Sequence, residues 1–318
     1  MALLSHLNTI AANFWDSVDP KDLLYDPFDT TALFRKKAKI ITGKGGQGLT
    51  VPIETTATTG TGLGMFDGGN QAITYAADSP LQGMTFSWKY GAEATFMTDA
   101  NQVQNLTPGK IIDDAKIKMR ACAKKIAKLL NDQILAGVHG TATDLIGLVD
   151  IFNLAYTTYG EGWDLSNAAK GPYVVALGDV LSSLTLDDIN TAIRMTKTST
   201  DMVTDMLAGQ NFAAQLHSLV LPSQNFNQGG GMWQIGPDDI KWGTKISLTT
   251  DKALNSTKAM YGMQMDNFHL YFAWSGDGFK KSGWYDMSGT VGTLAYVMKV
   301  AMILACVDPN QNFKVTWT

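Results

Sequence analysis

The chain has little of what metal or redox chemistry requires: two cysteines and four histidines in 318 residues. Cys122 and Cys306 lack metal-ligand spacing and read as small buried hydrophobes of a protein kept in a reducing compartment. His6, His139, His217 and His269 are scattered, with no carboxylate or second histidine at ligand spacing, which argues against a zinc site or a histidine-based catalytic centre. Charge is also sparse. Charged residues make up 17% of the chain and the formal net charge is -4, so no broad attraction to nucleic acid, membrane or anionic substrate is expected, although local basic faces stay open.

Targeting and membrane signals are missing too. The opening MALLSHLNTIAANFWDS has no basic segment ahead of a continuous apolar stretch, so no secretory signal is read and assembly in the cytoplasm is expected. The apolar run from Val291 to Val307 is interrupted by Lys299 and is short for a bilayer, which predicts buried strands and no membrane partner. It continues through Asp308-Pro309-Asn310 into Phe313 to Trp317, the pattern of a C-terminal hairpin. No internal repeat is found. With 45% hydrophobic residues, a chain of this length buries about three quarters of its unfolded surface, as one large or two ordinary domains.

Core-forming side chains are nearly absent from Thr42 to Asn70, TGKGGQGLTVPIETTATTGTGLGMFDGGN, which cannot bury itself and therefore reads as disordered or as an arm ordered by another molecule. Leu49, Val51 and Ile53 alternate, as do Ile73 and Tyr75, predicting two strands of a ribbon with Pro52 on an edge. A two-stranded ribbon is marginal alone and needs a surface, most simply a neighbouring subunit. Leu3 to Trp15 predicts a short helix with Leu4, Leu7, Ile10 and Phe14 on one face. Asp19-Pro20 and Asp26-Pro27 then break the chain, so the first forty residues are expected to lie across something else.

Regular elements follow. Met84, Phe86, Trp88 and Tyr90 alternate as one strand with an apolar face. Thr107-Pro108-Gly109 opens a helix to about Ala136, with Thr107 as N-cap, Pro108 at the first position and Gly137 as the stop. Ile112, Ala115, Met119, Cys122, Ile126, Leu129, Leu130 and Ile134 share its buried face. Lys116, Arg120, Lys124 and Lys128 run round the other side, a solvated or subunit-contacting face with contact to nucleic-acid phosphates as a second reading. Leu145 to Leu154 is apolar, and Tyr159 to Pro172 is a loop separating two subdomains. Thr185-Leu186-Asp187-Asp188 resembles a capping box and starts a helix that buries Ile189, Ala192, Ile193 and Met195. Met202 to Leu219 predicts another helix, and Trp242, Ile246, Leu248, Phe268, Leu270 and Phe272 mark short strands.

Three sharper motifs have structural readings. Gly43-Lys44-Gly45-Gly46-Gln47-Gly48 fits G-x-G-x-x-G but neither follows a strand of a βαβ unit nor opens a helix, so it reads as a bend. Asp113-Asp114 and Asp187-Asp188 lie near helix starts, where the dipole already favours carboxylates. Trp233, Trp242, Trp274 and Trp284 define no groove and read as packing.

The order of these pieces resembles the tailed-bacteriophage major capsid proteins of the Hong Kong 97 fold. Local echoes are LLNDQILAG (Leu129 to Gly137), LTLDDINTAIRM (Leu184 to Met195) and ILACVDPNQNFKV (Ile303 to Val315). The resemblance implies an α+β fold: an N-terminal arm at 1–40, an extended β-hairpin loop at 41–83, and a peripheral domain with the long spine helix at 84–158. An axial α/β domain at 159–289 follows, and strands at 290–318 return to the peripheral domain. It implies a virion protein, not an enzyme, with no catalytic, cofactor or metal residues. That protein self-assembles into hexamers and pentamers of an icosahedral shell around double-stranded DNA, held nonspecifically. Scaffolding, portal and decoration proteins are the further partners. Assembly is expected to rest on Leu3 to Phe34, Gly43 to Tyr75 and the exposed side of the spine. Lys44 lies in the loop, but no acceptor for a lysine–asparagine crosslink is identified and none is expected. The alternatives are an encapsulin-like compartment shell and a soluble enzyme or sugar-binding protein with a Gly/Thr-rich lid.

Overall fold

A computed structural model describes residues 2–17, 33–34, 36–46, 48–54, 81–98, 108–137, 144–153, 172–176, 184–196, 203–220, 241–242, 246–256, 258–276, 278–287 and 293–316. The leading helix, α1 (Ala2–Ser17), buries Leu7, Ala11 and Phe14, which its three- and four-residue spacing places on one face. The long helix α2 spans Pro108–Ala136, the range its sequence signals mark. Ala115, Met119, Cys122, Ile126, Leu130 and Ile134 are buried along it, whereas Leu129 lies at the margin of this face, 36% exposed. At its end a Cβ on Gly137 would sit 2.2 Å from the Leu145 carbonyl oxygen, so only glycine lets the chain turn back this closely. That turn leads to the short helix α3 (Leu148–Ile151).

The first sheet is built around one long strand, β12 (Thr293–Cys306). Along one edge it pairs antiparallel with β4 (Lys89–Thr98). Its other edge takes β11 (Phe279–Asp286) and then β10 (Phe268–Phe272), and β1 (Lys39–Thr42) lies parallel to β10. Helices α1 and α2 cover one face of this sheet, and a large apolar core fills the space between.

The ribbon has a described root: β2 (Gly48–Glu54) pairs antiparallel with β3 (Leu81–Ser87), from Gly48 opposite Ser87 to Glu54 opposite Leu81. The partner of the first ribbon strand is thus 81–87, and Ile73 and Tyr75 lie outside the described residues. The strand predicted over Met84 to Tyr90 is two strands parted at Trp88. Met84, Phe86 and Trp88 are buried as expected, but Tyr90, beyond the break, is 70% exposed.

The second sheet has the order β5 (Tyr173–Ala176), β13 (Phe313–Thr316), β9 (Ala259–Met263), β6 (Asp205–Ala208), β8 (Ile246–Thr250), β7 (Lys241–Trp242). Helices α4 (Leu186–Thr196) and α5 (Gln210–Val220) share with it a second core, which takes Met206, Ala208, Met260, Phe313 and Val315. The alternating residues Leu207, Ala259, Tyr261 and Met263 belong to the first core, so this sheet is buried on both sides.

Four expectations are corrected here. Met202 to Leu219 is not one helix: Asp205–Ala208 is a fully buried strand and only Gln210–Val220 is helical, because four residues inside a sheet cannot show a period. Met195, expected inside α4, is 63% exposed. The C-terminal hairpin does not form, since β12 and β13 lie in different sheets. A 3-10 turn at Pro309–Gln311 followed by Asn312 in extended conformation carries the chain across. For the same reason the ranges 159–289 and 290–318 do not separate cleanly: β10 and β11 belong to the first sheet and β13 to the second. Among the described residues no helix is long and apolar enough to cross a membrane.

Candidate assembly surfaces

The segments expected to reach outward divide into parts that pack at home and parts that do not. The described portions of Leu3 to Phe34 lie on their own chain, which corrects the idea of a free arm. Asn8 Oδ1 accepts from the Trp284 backbone N–H at 2.6 Å. Phe14 lies under the Arg120 guanidinium, 5.6 Å from its ring centre, and Phe34 meets Phe268 edge-on at 5.5 Å. These are large apolar groups whose burial in their own core leaves them nothing to offer a neighbour. Residues 18–32 are outside the described residues.

Of Gly43 to Tyr75, the root is anchored. The Gly43 and Lys44 N–H groups donate to the Trp274 and Phe272 carbonyls at 3.3 and 3.4 Å, and Val51 is buried beside Met84 and Phe86 in the first core. The glycine motif at Gly43 to Gly48 is the bend between β1 and β2. Lys44 is exposed there, and residues 55–80 lie outside the described residues.

The third segment, the outward side of α2, carries exposed Lys110, Arg120, Lys124, Lys125 and Lys128. Lys125 bonds Glu93 on β4 at 2.7 Å, and Lys118 pairs with Asp114 one turn away at 3.0 Å. Sequence reasoning missed a further surface on the opposite side of the first sheet. Gly91 faces α2 so closely that a Cβ would touch Leu129 and Val300 at 3.0 Å, so its neighbours on β4 point the other way. There Tyr90, Phe96 and Tyr285 are 70%, 48% and 42% exposed. The register also sets exposed Lys280 opposite exposed Lys299. Of these, alternation marked only Tyr90, and on the buried face; which strand would pair with which was not readable.

Two polar arrangements join the sheets. Asp205 of β6 has no exposure; its Oδ1 accepts from Lys37 Nζ and Ser247 Oγ, while Oδ2 has no hydrogen-bond partner among the described residues. Lys37 precedes β1, so this pair ties the entry to the first sheet to a strand of the second. Where the chain crosses directly from one sheet's strand to the other's, from β9 to β10 and from β12 to β13, Asn312 is fully buried. Its Oδ1 accepts from Gln264 N–H at 2.9 Å, and its Nδ2 donates to the Asp308 and Pro309 carbonyls at 3.0 and 3.2 Å. Beside it, Asn267 Nδ2 donates to Gln311 Oε1 and Val307 N–H to the Asn267 carbonyl, both at 2.9 Å.

No protein-family model and no curated protein matches this chain. Solved structures do, over nearly its whole length. The capsid of cyanophage A-1(L) aligns at a TM-score of 0.63 with 14% identity, covering 92% of this chain and 93% of that one. The capsid of a native GTA particle aligns at 0.60 with 9% identity, over 90% and 89% of the two chains. The capsid of Myoviridae phage XM1 gives 0.55, 10%, 90% and 91%. This chain has the tailed-phage capsid fold.

Within the phage capsid fold, the groups that might have pointed to chemistry have structural work. Thr185 and Asp188 form the predicted capping box, with Thr185 N–H donating to Asp188 Oδ2 at 2.9 Å and Asp188 N–H to Thr185 Oγ1 at 3.3 Å. Both cysteines are free and buried. Burial, and then the Glu93 charge, push the Cys122 thiol up to about 11, and burial raises Cys306 further. A groove of about 290 Å³ beside Leu129 has Gln133 and Asp144 in its wall, but these bond each other at 3.3 Å. Among the described residues no group of three or more His, Cys, Asp or Glu could hold a metal ion.

Proposed function

We propose that this chain is the major capsid protein of a tailed phage, a non-enzymatic subunit that self-assembles through hexamers and pentamers into an icosahedral shell around double-stranded DNA. The carrying observation is that capsid subunits from several different particles share its fold over about nine tenths of the chain. In this reading the first sheet with α1 and α2 forms the peripheral unit and the second sheet with α4 and α5 the axial unit. Residues 55–80, which in sequence join the two strands of the anchored root, supply contact to an adjacent subunit. Obligate interfaces of roughly 2,000–5,000 Å² are reached by extended segments more readily than through one compact face. Subunits are made in the host cytoplasm, and scaffolding, portal and decoration proteins are the further partners.

The test is size-exclusion chromatography of the purified chain with negative-stain microscopy of each peak. Capsomers or closed shells are expected; a compact monomer under every assembly condition would overturn the reading. The contents of the shells separate a virus shell, which holds nucleic acid, from an encapsulin-like compartment, which holds protein.

A further inference from the structure

Arg120, Lys124 and Lys128 recur every fourth residue on α2 and all three are exposed. With a rise of 1.5 Å per residue they form a row about 12 Å long with steps of about 6 Å. The described lysines of α2 that form ion pairs are Lys118 and Lys125; among the described residues none of the three in the row does. Arg120 is held in place by the Phe14 ring beneath it. The exposed carboxylates of the helix bound the row without interrupting it: Asp113 lies two turns before Arg120, and Asp132 follows Lys128 by one turn. The other side of α2 is buried against the first sheet, so the row is on the outward side of the helical layer. In a chain of net charge -4, three aligned cations with no carboxylate between them form a local field of opposite sign to the whole.

We propose that the row Arg120–Lys124–Lys128 is a sequence-independent contact for the phosphate backbone of duplex DNA. Duplex DNA carries one charge per roughly 1.7 Å of axis, so a 12 Å row faces about seven phosphate charges, enough for each cation to neutralise one. An exposed flank of a long helix brings cations to phosphates without placing an element in a groove, so it positions DNA and does not read it. The proposal rests on the shell reading only for where the DNA comes from.

The experiment measures binding of a labelled duplex of mixed sequence to the unassembled full chain by fluorescence anisotropy over a salt series. In the variant Arg120→Gln/Lys124→Gln/Lys128→Gln, the slope of log K against log salt is expected to fall by about 2.7, at about 0.9 per phosphate contact, equally for unrelated sequences. Lys280→Gln/Lys299→Gln, on the opposite side of the first sheet, keeps the wild-type slope. Circular dichroism checks that both variants are folded. Absent binding by the wild-type chain, an unchanged slope in the triple variant, or loss in the Lys280/Lys299 control would overturn the proposal. So would a row that binds polyglutamate but not the duplex. Microscopy of the same preparations keeps the two readings apart: shells that form without row-dependent DNA binding sink this inference alone, and binding without shells sinks the shell reading alone.

Discussion

Asp205 has a single described cation, and that cation arrives from far away in sequence. Its side chain has no exposure while Lys37 is 44% exposed, so the pair is a buried anion capped from the solvent side. Removing the cap strands the carboxylate. Lys37→Met should cost about 3 kcal/mol in urea unfolding, the lower end for a broken buried pair because water can reach the lysine's place. Lys37→Met/Asp205→Leu should recover most of that loss, since an apolar pair leaves no charge stranded. His269 is the residue to watch on acidification. Its Nδ1 lies 3.1 Å from Tyr271 Oη, and burial, then Lys39 opposite it on β1, hold the imidazole below its usual range. The unfolded chain then takes up the proton first, so the contribution is fully present above about pH 6.5 and declines as pH falls through that value towards the folded one. Urea midpoints measured across this interval should drop, and His269→Gln should flatten the drop.

Helix ends are local chemistry, which is why α2 and α4 were readable and much else was not. Pro108 at the first position of α2 and Gly137 after it act within a turn of where they stand, and so does the Thr185–Asp188 box. Thr185→Ala should therefore cost about 1 kcal/mol by chemical denaturation, with Asp188→Ala giving a similar loss through the same box. Strand partners, by contrast, are decided by distant residues. Nothing near Asp205–Ala208 announces that it will lie between β8 and β9, nor does the apolar run Val291 to Val307 state that β4, β10 and β11 will all pair with it. Met195 and Leu129 have helical spacing but sit at the edges of their buried faces. The outer surface with Tyr90, Phe96 and Tyr285 was invisible because it is assembled from three separate stretches.

For the whole molecule, the part that residues 55–80 take in assembly can be tested directly. Glu54 and Leu81 are directly opposite in the ribbon, so an Asn-Gly turn can replace residues 55–80 without disturbing the root. The shortened chain should keep its thermal transition within a few degrees yet fail to form shells by microscopy. Retained shell assembly would show that the segment is dispensable. The two strand crossings, from Met263 to Phe268 and from Cys306 to Phe313, run side by side and are bonded to each other through Asn312, Asn267 and Gln311. A force that pulls one sheet from the other is therefore shared between two short covalent cables riveted together at mid-span, while the third link, from β4 to β5, runs the long way through α2 and α3.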